Sequence, residues 1–209
     1  MDRMRKPPPQ HWRRLPVRAD PTRMLRAVLV CLALTSPVFA ENAEPKLPDR
    51  KTQLDVLLTA LRAAPDEDAA VQIEQRVQLL WLQSPSAAAD LLMAGGTRAL
   101  ANDAGNEAEQ DFDAAVALEP GFTEAWHRRA IARAAQGDSQ GAIADIGQAL
   151  AQEPRYFPAL DTLTRIAIDR KDFKGAFAAW SKKLEIDPEC AGGREKLNDL
   201  RRRAFGDDT

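Results

Sequence analysis

The chain has 209 residues, 44% of them apolar and only 6% aromatic, with a formal charge of −2. That length fits one domain, or one domain with a small appendage. Residues 1–40 hold eight Lys/Arg against two acids, leaving 21 basic and 29 acidic side chains, a net charge near −8, in the rest; so acidic a body excludes nucleic acid as a partner, because phosphate binding needs a surplus of cations on one face.

Residues 1–23 are rich in Pro and Arg and read as a disordered basic extension, with Met24 offering a second start. Residues 24–40 read MLRAVLVCLALTSPVFA. Arg26 precedes an apolar run from Ala27 to Leu34, Pro37 breaks it, and Val38 and Ala40 stand at the −3 and −1 positions of a cleavage site. This is the layout of a secretory signal peptide, cut after Ala40. The run is shorter than the roughly 20 apolar residues a bilayer span needs. The expected location is the periplasm, the alternative being an inner-membrane tether formed by the uncleaved segment. Lipidation at Cys31 is opposed by Val30 before it, and a twin-arginine signal at Arg13–Arg14 by Leu15-Pro16-Val17 after it. Residues 41–48 form a linker.

A helical hairpin is expected over residues 49–84. Leu54, Leu57, Leu58 and Leu61 fall on one helix face, and Pro65-Asp66 breaks that helix. Ala70, Ile73, Val77, Leu80 and Trp81 form a second stripe. Ser84-Pro85-Ser86 ends it and supplies an N-cap for the next helix. The hairpin is expected to pack on the unit that this next helix begins, the first of three repeats.

Three prolines recur in one setting, Glu119-Pro120, Glu153-Pro154 and Asp187-Pro188, at a constant spacing of 34 residues. Other positions keep step: Ala108, Ala142 and Ala176; Phe112, Ile146 and Trp180; Val116, Leu150 and Leu184; Leu92, Trp126 and Leu160. A fixed period of this length is the signature of a helical repeat. The Ala-rich stretches favour helices, and Pro cannot continue one. These positions resemble those of the tetratricopeptide repeat family, whose unit is two antiparallel helices, and the resemblance implies that the small residues Ala108, Ala142 and Ala176 let the two helices of a unit approach closely. Phe112, Ile146 and Trp180 fill the space between successive units. A chain reversal is expected at Asp103, Gly137 and Lys171, where a left-handed residue is needed; Gly suits it, Asp is tolerable and Lys is a poor choice.

The sequence here resembles the tetratricopeptide repeat family. The best match is Thr123 to Tyr156, with Ala125-Trp126, Ala130, Gly137-Asp138, Ala142, Ala149-Leu150 and Glu153-Pro154. The resemblance implies an all-α, right-handed superhelical solenoid of about three helical hairpins, over 89–122, 123–156 and 157–190, closed by a charged capping helix over 191–205. Its apolar side is Leu197, Leu200 and Ala204. The sequence departs from the family at Arg129 and Arg133, which replace Leu and Tyr, at Lys183, which replaces Ala, and at Gly105 and Ser139, which replace a turn aromatic. The remaining basic runs, Arg128–Arg129, Lys182–Lys183 and Arg201–Arg203, read as solvated helix faces and helix C-terminal charges.

In that family the first helices line a concave groove that receives a peptide or a partner helix. The resemblance places Asp90, Met93, Thr97, Glu124, His127, Arg128, Ile131, Asp161, Thr162 and Arg165 there. Met93 and Thr97 replace the Lys and Asn with which some members clamp a terminal carboxylate, which argues against that activity. His127 is read as an ordinary groove residue, the alternative being a group that titrates near neutral pH. Catalytic, cofactor and metal roles are not expected. After residue 40 the chain has one His and one Cys, His127 and Cys190, too few for a zinc centre. No nucleophile elbow surrounds Ser84, Ser86, Ser139 or Ser181, and the carboxylates are expected on solvated surfaces. Trp81, Trp126 and Trp180 are read as packing residues rather than a sugar platform. Cys190 is expected to be buried, the alternative being an exposed thiol that joins two chains. The functional expectation is a non-enzymatic interaction module for a protein or peptide partner in the cell envelope. The alternatives are a weakly self-associating protein, through the C-terminal helix or Cys190, and an accessory regulator of an envelope enzyme.

Overall fold

Acceptor side chains stand just where helices begin. Asp49 caps α1 (Arg50–Arg62) by accepting from the Thr52 amide, and Asp66 caps α2 (Glu67–Trp81) through Ala69. Ser86 caps α3 (Ala87–Ala101) through Ala89. Asp138 and Asp172 do the same for α6 (Ser139–Gln152) and α8 (Phe173–Ile186), through Gly141 and Gly175. Each such cap satisfies a backbone donor that the helix leaves unpaired. The other helices are α4 (Gly105–Leu118), α5 (Thr123–Ala135), α7 (Phe157–Asp169) and α9 (Gly193–Phe205). This computed structural model describes residues 49–206, and all its regular structure is helical. The basic extension, the export segment and the linker at 1–48 lie outside the described residues. No described helix is long and apolar enough to cross a membrane.

Helices α3–α4, α5–α6 and α7–α8 form three hairpins stacked in chain order, α4 against α5 and α6 against α7. The reversal inside each is left-handed at the expected place, with φ of 56° at Asp103, 85° at Gly137 and 59° at Lys171. Gly takes that conformation freely, while at Asp103 and Lys171 an L-residue carries a strain of about 1–2 kcal/mol. Ala108, Ala142 and Ala176 are fully buried, as are Phe112 and Ile146, while Trp180 is buried and Trp126 half-buried. Phe112 also packs inside its own hairpin: a Cβ added at Gly96 would meet its ring at 2.6 Å. That contact explains a glycine in the middle of α3. Helix α9 closes the array against α8 and starts at Gly193 rather than 191, after Gly192 turns the chain at φ 61°. Trp180 Nε1 donates to the Gly193 carbonyl at 2.8 Å, and Lys196 lies 3.9 Å over the indole. Cys190 is buried beneath this junction, which pushes its thiol up to about 11 and removes the exposed-thiol alternative.

The N-terminal hairpin departs from expectation. It does not stack on the first repeat. It lies against the turns that follow α6 and α8. Trp81 sets its ring edge-on to Tyr156 and Phe157, with centroids 4.7 and 5.0 Å away. Asp55 pairs with Arg155 at 2.8 Å, and Leu58 and Thr59 share a hollow with Glu185 and Ile186. Leu54, Leu58, Leu61, Ala70 and Val77 thereby join the main core with Ala142, Ile146 and Tyr156. Edge-on aromatic packing adds about 0.5–1.5 kcal/mol per pair beyond area burial. It outcompetes stacking on α3, which offers no aromatic partner.

Phe112→Ala should cost about 3–5 kcal/mol, the usual range for deleting a buried aromatic. Urea unfolding followed by circular dichroism will read it.

Candidate concave binding surface

Three first helices, α3, α5 and α7, carry the ten residues assigned to the groove. Five of these come together. Asp90, Met93 and Thr97 of α3 face Glu124 and Arg128 of α5 across a trough of about 520 Å³. Leu82, Leu91, Ala94 and Phe122 give it an apolar lining, and Ser84 and Arg98 complete the wall. A smaller hollow of about 140 Å³ adjoins it, where Glu124, His127 and Arg128 meet Gln78, Trp81, Tyr156 and Pro158. Leu82, Glu124 and Arg128 are common to both. The other four line neither. Ile131 is half-buried, Thr162 is buried, Asp161 is engaged by Lys183 at 2.9 Å, and Arg165 is exposed on α7.

The floor between α5 and α7 is a chain of polar contacts rather than an open surface. Arg128 Nε donates to Glu124 at 2.6 Å, and the Tyr156 hydroxyl donates to the same carboxylate. The Tyr156 oxygen is then the acceptor for His127 Nδ1–H, 3.1 Å away, so Nε2 accepts from the Thr162 hydroxyl at 2.9 Å. The tautomer follows from the network, since each polar atom can serve only in the role its neighbours leave it. Burial, with Arg128 and Arg165 adding their positive charge, lowers the imidazole to about 3. His127 is therefore a neutral structural link between two repeats, and the neutral-pH switch is ruled out. Burial and the Glu124 carboxylate push the Tyr156 phenol well above its ordinary value. Tyr156 is absent from the sequence-assigned groove. It is the only tyrosine in the chain and sits next to the turn proline, a signal that could have found it.

A second network explains two departures from the family pattern. Arg129 grips Asp145 with two bonds, of 2.9 and 2.8 Å, and also reaches Asp113. Arg133 adds a 2.9 Å bond to Asp145 and a 2.8 Å bond to Glu109. The Arg129 guanidinium lies 4.8 Å over the Trp126 ring. Bidentate pairing to Asp145 raises the Arg129 pKa above its ordinary value. Where the family packs Leu and Tyr, this chain ties α4, α5 and α6 together with charge. The expectation that carboxylates are solvated fails at Glu124, Asp145 and Asp187, all buried. Asp187 sits beside Glu74 of α2, and burial followed by that neighbour pushes its carboxyl up to about 8.

These two shifted groups give opposed pH dependences. His127 has a folded pKa of about 3 against an ordinary 6.5, so its contribution to stability is lost as pH falls through that window. Asp187 rises from 3.8 to about 8, so its contribution is full below 3.8 and is lost as pH rises towards 8. The two slopes oppose one another between about pH 4 and 6.5. His127→Gln should leave stability falling with pH, and Asp187→Asn should leave it rising, by up to about 1.4 kcal/mol per pH unit. Urea midpoints measured from pH 4 to 8 will show both. Replacing Arg129 and Arg133 together by Leu should cost about 3–5 kcal/mol, because it strands buried Asp145, and adding Asp145→Ala should recover most of that.

Known proteins share the fold. No family model matches the chain. A TPR repeat-containing protein of Rhizobium etli is 33% identical over 190 residues, covering 87% of this chain and 93% of that protein. The TPR domain of Sgt2 from Aspergillus fumigatus superposes with a TM-score of 0.53 at 25% identity, over 57% of this chain and 81% of that one. The first TPR domain of Spaghetti, solved with an HSP90 peptide, gives 0.52 at 17% identity, over 58% and 96%. Three hairpins in one register, with a relative matched over nearly its whole length, settle the assignment: the chain belongs to the tetratricopeptide repeat family.

Proposed function

We propose that the protein is a non-enzymatic interaction module of the cell envelope, which holds a peptide or partner helix in the trough between α3 and α5. The observation that carries this reading is the trough itself. Its lining is apolar at Leu82, Leu91, Met93 and Phe122 and polar at Asp90, Thr97, Glu124 and Arg128. That mixture suits a segment anchored by one or two apolar side chains and oriented by hydrogen bonds. The hairpin α1–α2 and the Glu124–Tyr156–His127–Thr162 chain close the α5–α7 side, so the binding residues are Asp90, Met93, Thr97, Glu124 and Arg128. Ile131, Asp161, Thr162 and Arg165 serve the fold or solvent. The first TPR domain of Spaghetti is bound to an HSP90 peptide, which supports a peptide as the kind of ligand. The envelope location rests on the export segment at 24–40.

A photoreactive residue at Thr97, installed in the full chain and activated in cells, should give one discrete adduct that Met93→Asp abolishes. The same residue at exposed Gln148 on α6 should give none. Equal labelling from both positions would overturn the groove reading. The mass of the purified protein from a periplasmic extract should begin at Glu41; a chain still carrying residues 24–40 would overturn cleavage.

A further inference from the structure

Every first helix of the array has a face that packs on the hairpin before it. In α5 that face includes Ala125 and Ala132, both 0% exposed. In α7 the equivalents are Ala159 and Ile166, both buried. In α3 they are Leu91 and Arg98, and Leu91 is 75% exposed. The N-terminal hairpin would cover this face if it continued the stack, but it lies against the turns after α6 and α8. The end of the array at α3 is therefore an interface without its partner. It exposes Leu91 and four alanines between the charges of Asp90 and Arg98, whereas α9 finishes the opposite end with a more densely charged face.

We propose that a second copy of this chain covers the face, α3 packing antiparallel on α3 about a two-fold axis at Ala94. The helix is self-complementary about that residue. Asp90 and Arg98 each lie four residues from Ala94, about 6 Å along the axis and about 40° to opposite sides of it. A two-fold rotation brings Asp90 of one copy level with Arg98 of the other across the contact, so two opposite charges meet at each end of it. The same rotation sets Leu91 against Thr97 and Ala87 against Ala101. All of these are exposed in the single chain, and alanine at the crossing lets the backbones approach. Such an isologous contact uses one patch twice. It also shares Asp90, Leu91, Ala94 and Arg98 with the trough, so dimer formation and peptide capture compete. Dimer formation is a property of the purified protein alone and does not require the peptide reading to be right.

The test is sedimentation of the full chain across a concentration series, with unfolding curves to show that each variant folds. The wild type should pass from monomer to dimer. Leu91→Glu, Asp90→Arg and Arg98→Asp should each weaken the dimer about tenfold or more. The double variant D90R/R98D should dimerise as the wild type does, because reversing both ends restores complementarity. A monomer at every concentration overturns the proposal, whichever segment then covers α3. So does a dimer indifferent to the single reversals, or one that the double reversal fails to restore. A Thr97 adduct that contains only a second copy of this chain would support the dimer and count against the peptide reading alone.

Discussion

A helical hairpin can bury only the side its two helices share; the outer face of its first helix stays apolar until another hairpin covers it. Residues 87–186 meet this constraint by repetition. Ala108, Ala142 and Ala176 bring the paired helices close, and the faces carrying Ala125 and Ala132, then Ala159 and Ile166, close on the preceding unit. The 34-residue period is the consequence, since units of unequal length would bring these faces out of register.

Charge does part of the work that hydrophobic packing does elsewhere in the family. Arg129, Arg133, Asp113, Asp145 and Glu109 bind three helices across two repeats. A buried ion pair carries a desolvation cost that its own attraction barely offsets, so its net gain over Leu is small. Its effect is on geometry: a bidentate guanidinium accepts one orientation where Leu accepts several. The same holds for the chain from Arg128 to Thr162, where each donor has a single acceptor and the tautomer of His127 is set by its neighbours. These links stiffen the middle of the concave surface and leave the trough at its α3 end outside the network.

The period was legible because three units repeat it without an insertion, and with it the three reversals at Asp103, Gly137 and Lys171; the cap at Ser86 was legible from residues within one turn of helix, while the caps at Asp49 and Asp66 were not read. The groove was half legible. Asp90, Met93, Thr97, Glu124 and Arg128 do share a trough, because repeat position fixes direction along a regular helix. His127 and Thr162 occupy groove positions as well, yet are buried: the Tyr156 ring, at the end of the second unit and backed by Trp81 of the N-terminal hairpin, packs on His127, which in turn bonds Thr162. Local periodicity carries no information about such long-range contacts. Arg129 and Arg133 could be seen to break the pattern, but their partners on α4 and α6 are 12 to 24 residues away and stand among many surface acids.

The placement of the N-terminal hairpin connects these features. Its apolar stripes, Leu54 to Leu61 and Ala70 to Trp81, need a surface, and two were on offer. The α3 face presents one leucine among alanines. The turn region presents Tyr156 and Phe157 for Trp81 and Arg155 for Asp55, with Glu74 against Asp187. Aromatic area and an ion pair decide the competition, and the hairpin leaves the line of the stack. Doing so it seals the α5–α7 side of the concave surface and bares the α3 side. A single packing preference thus sets where the concave surface is closed and where it stays open.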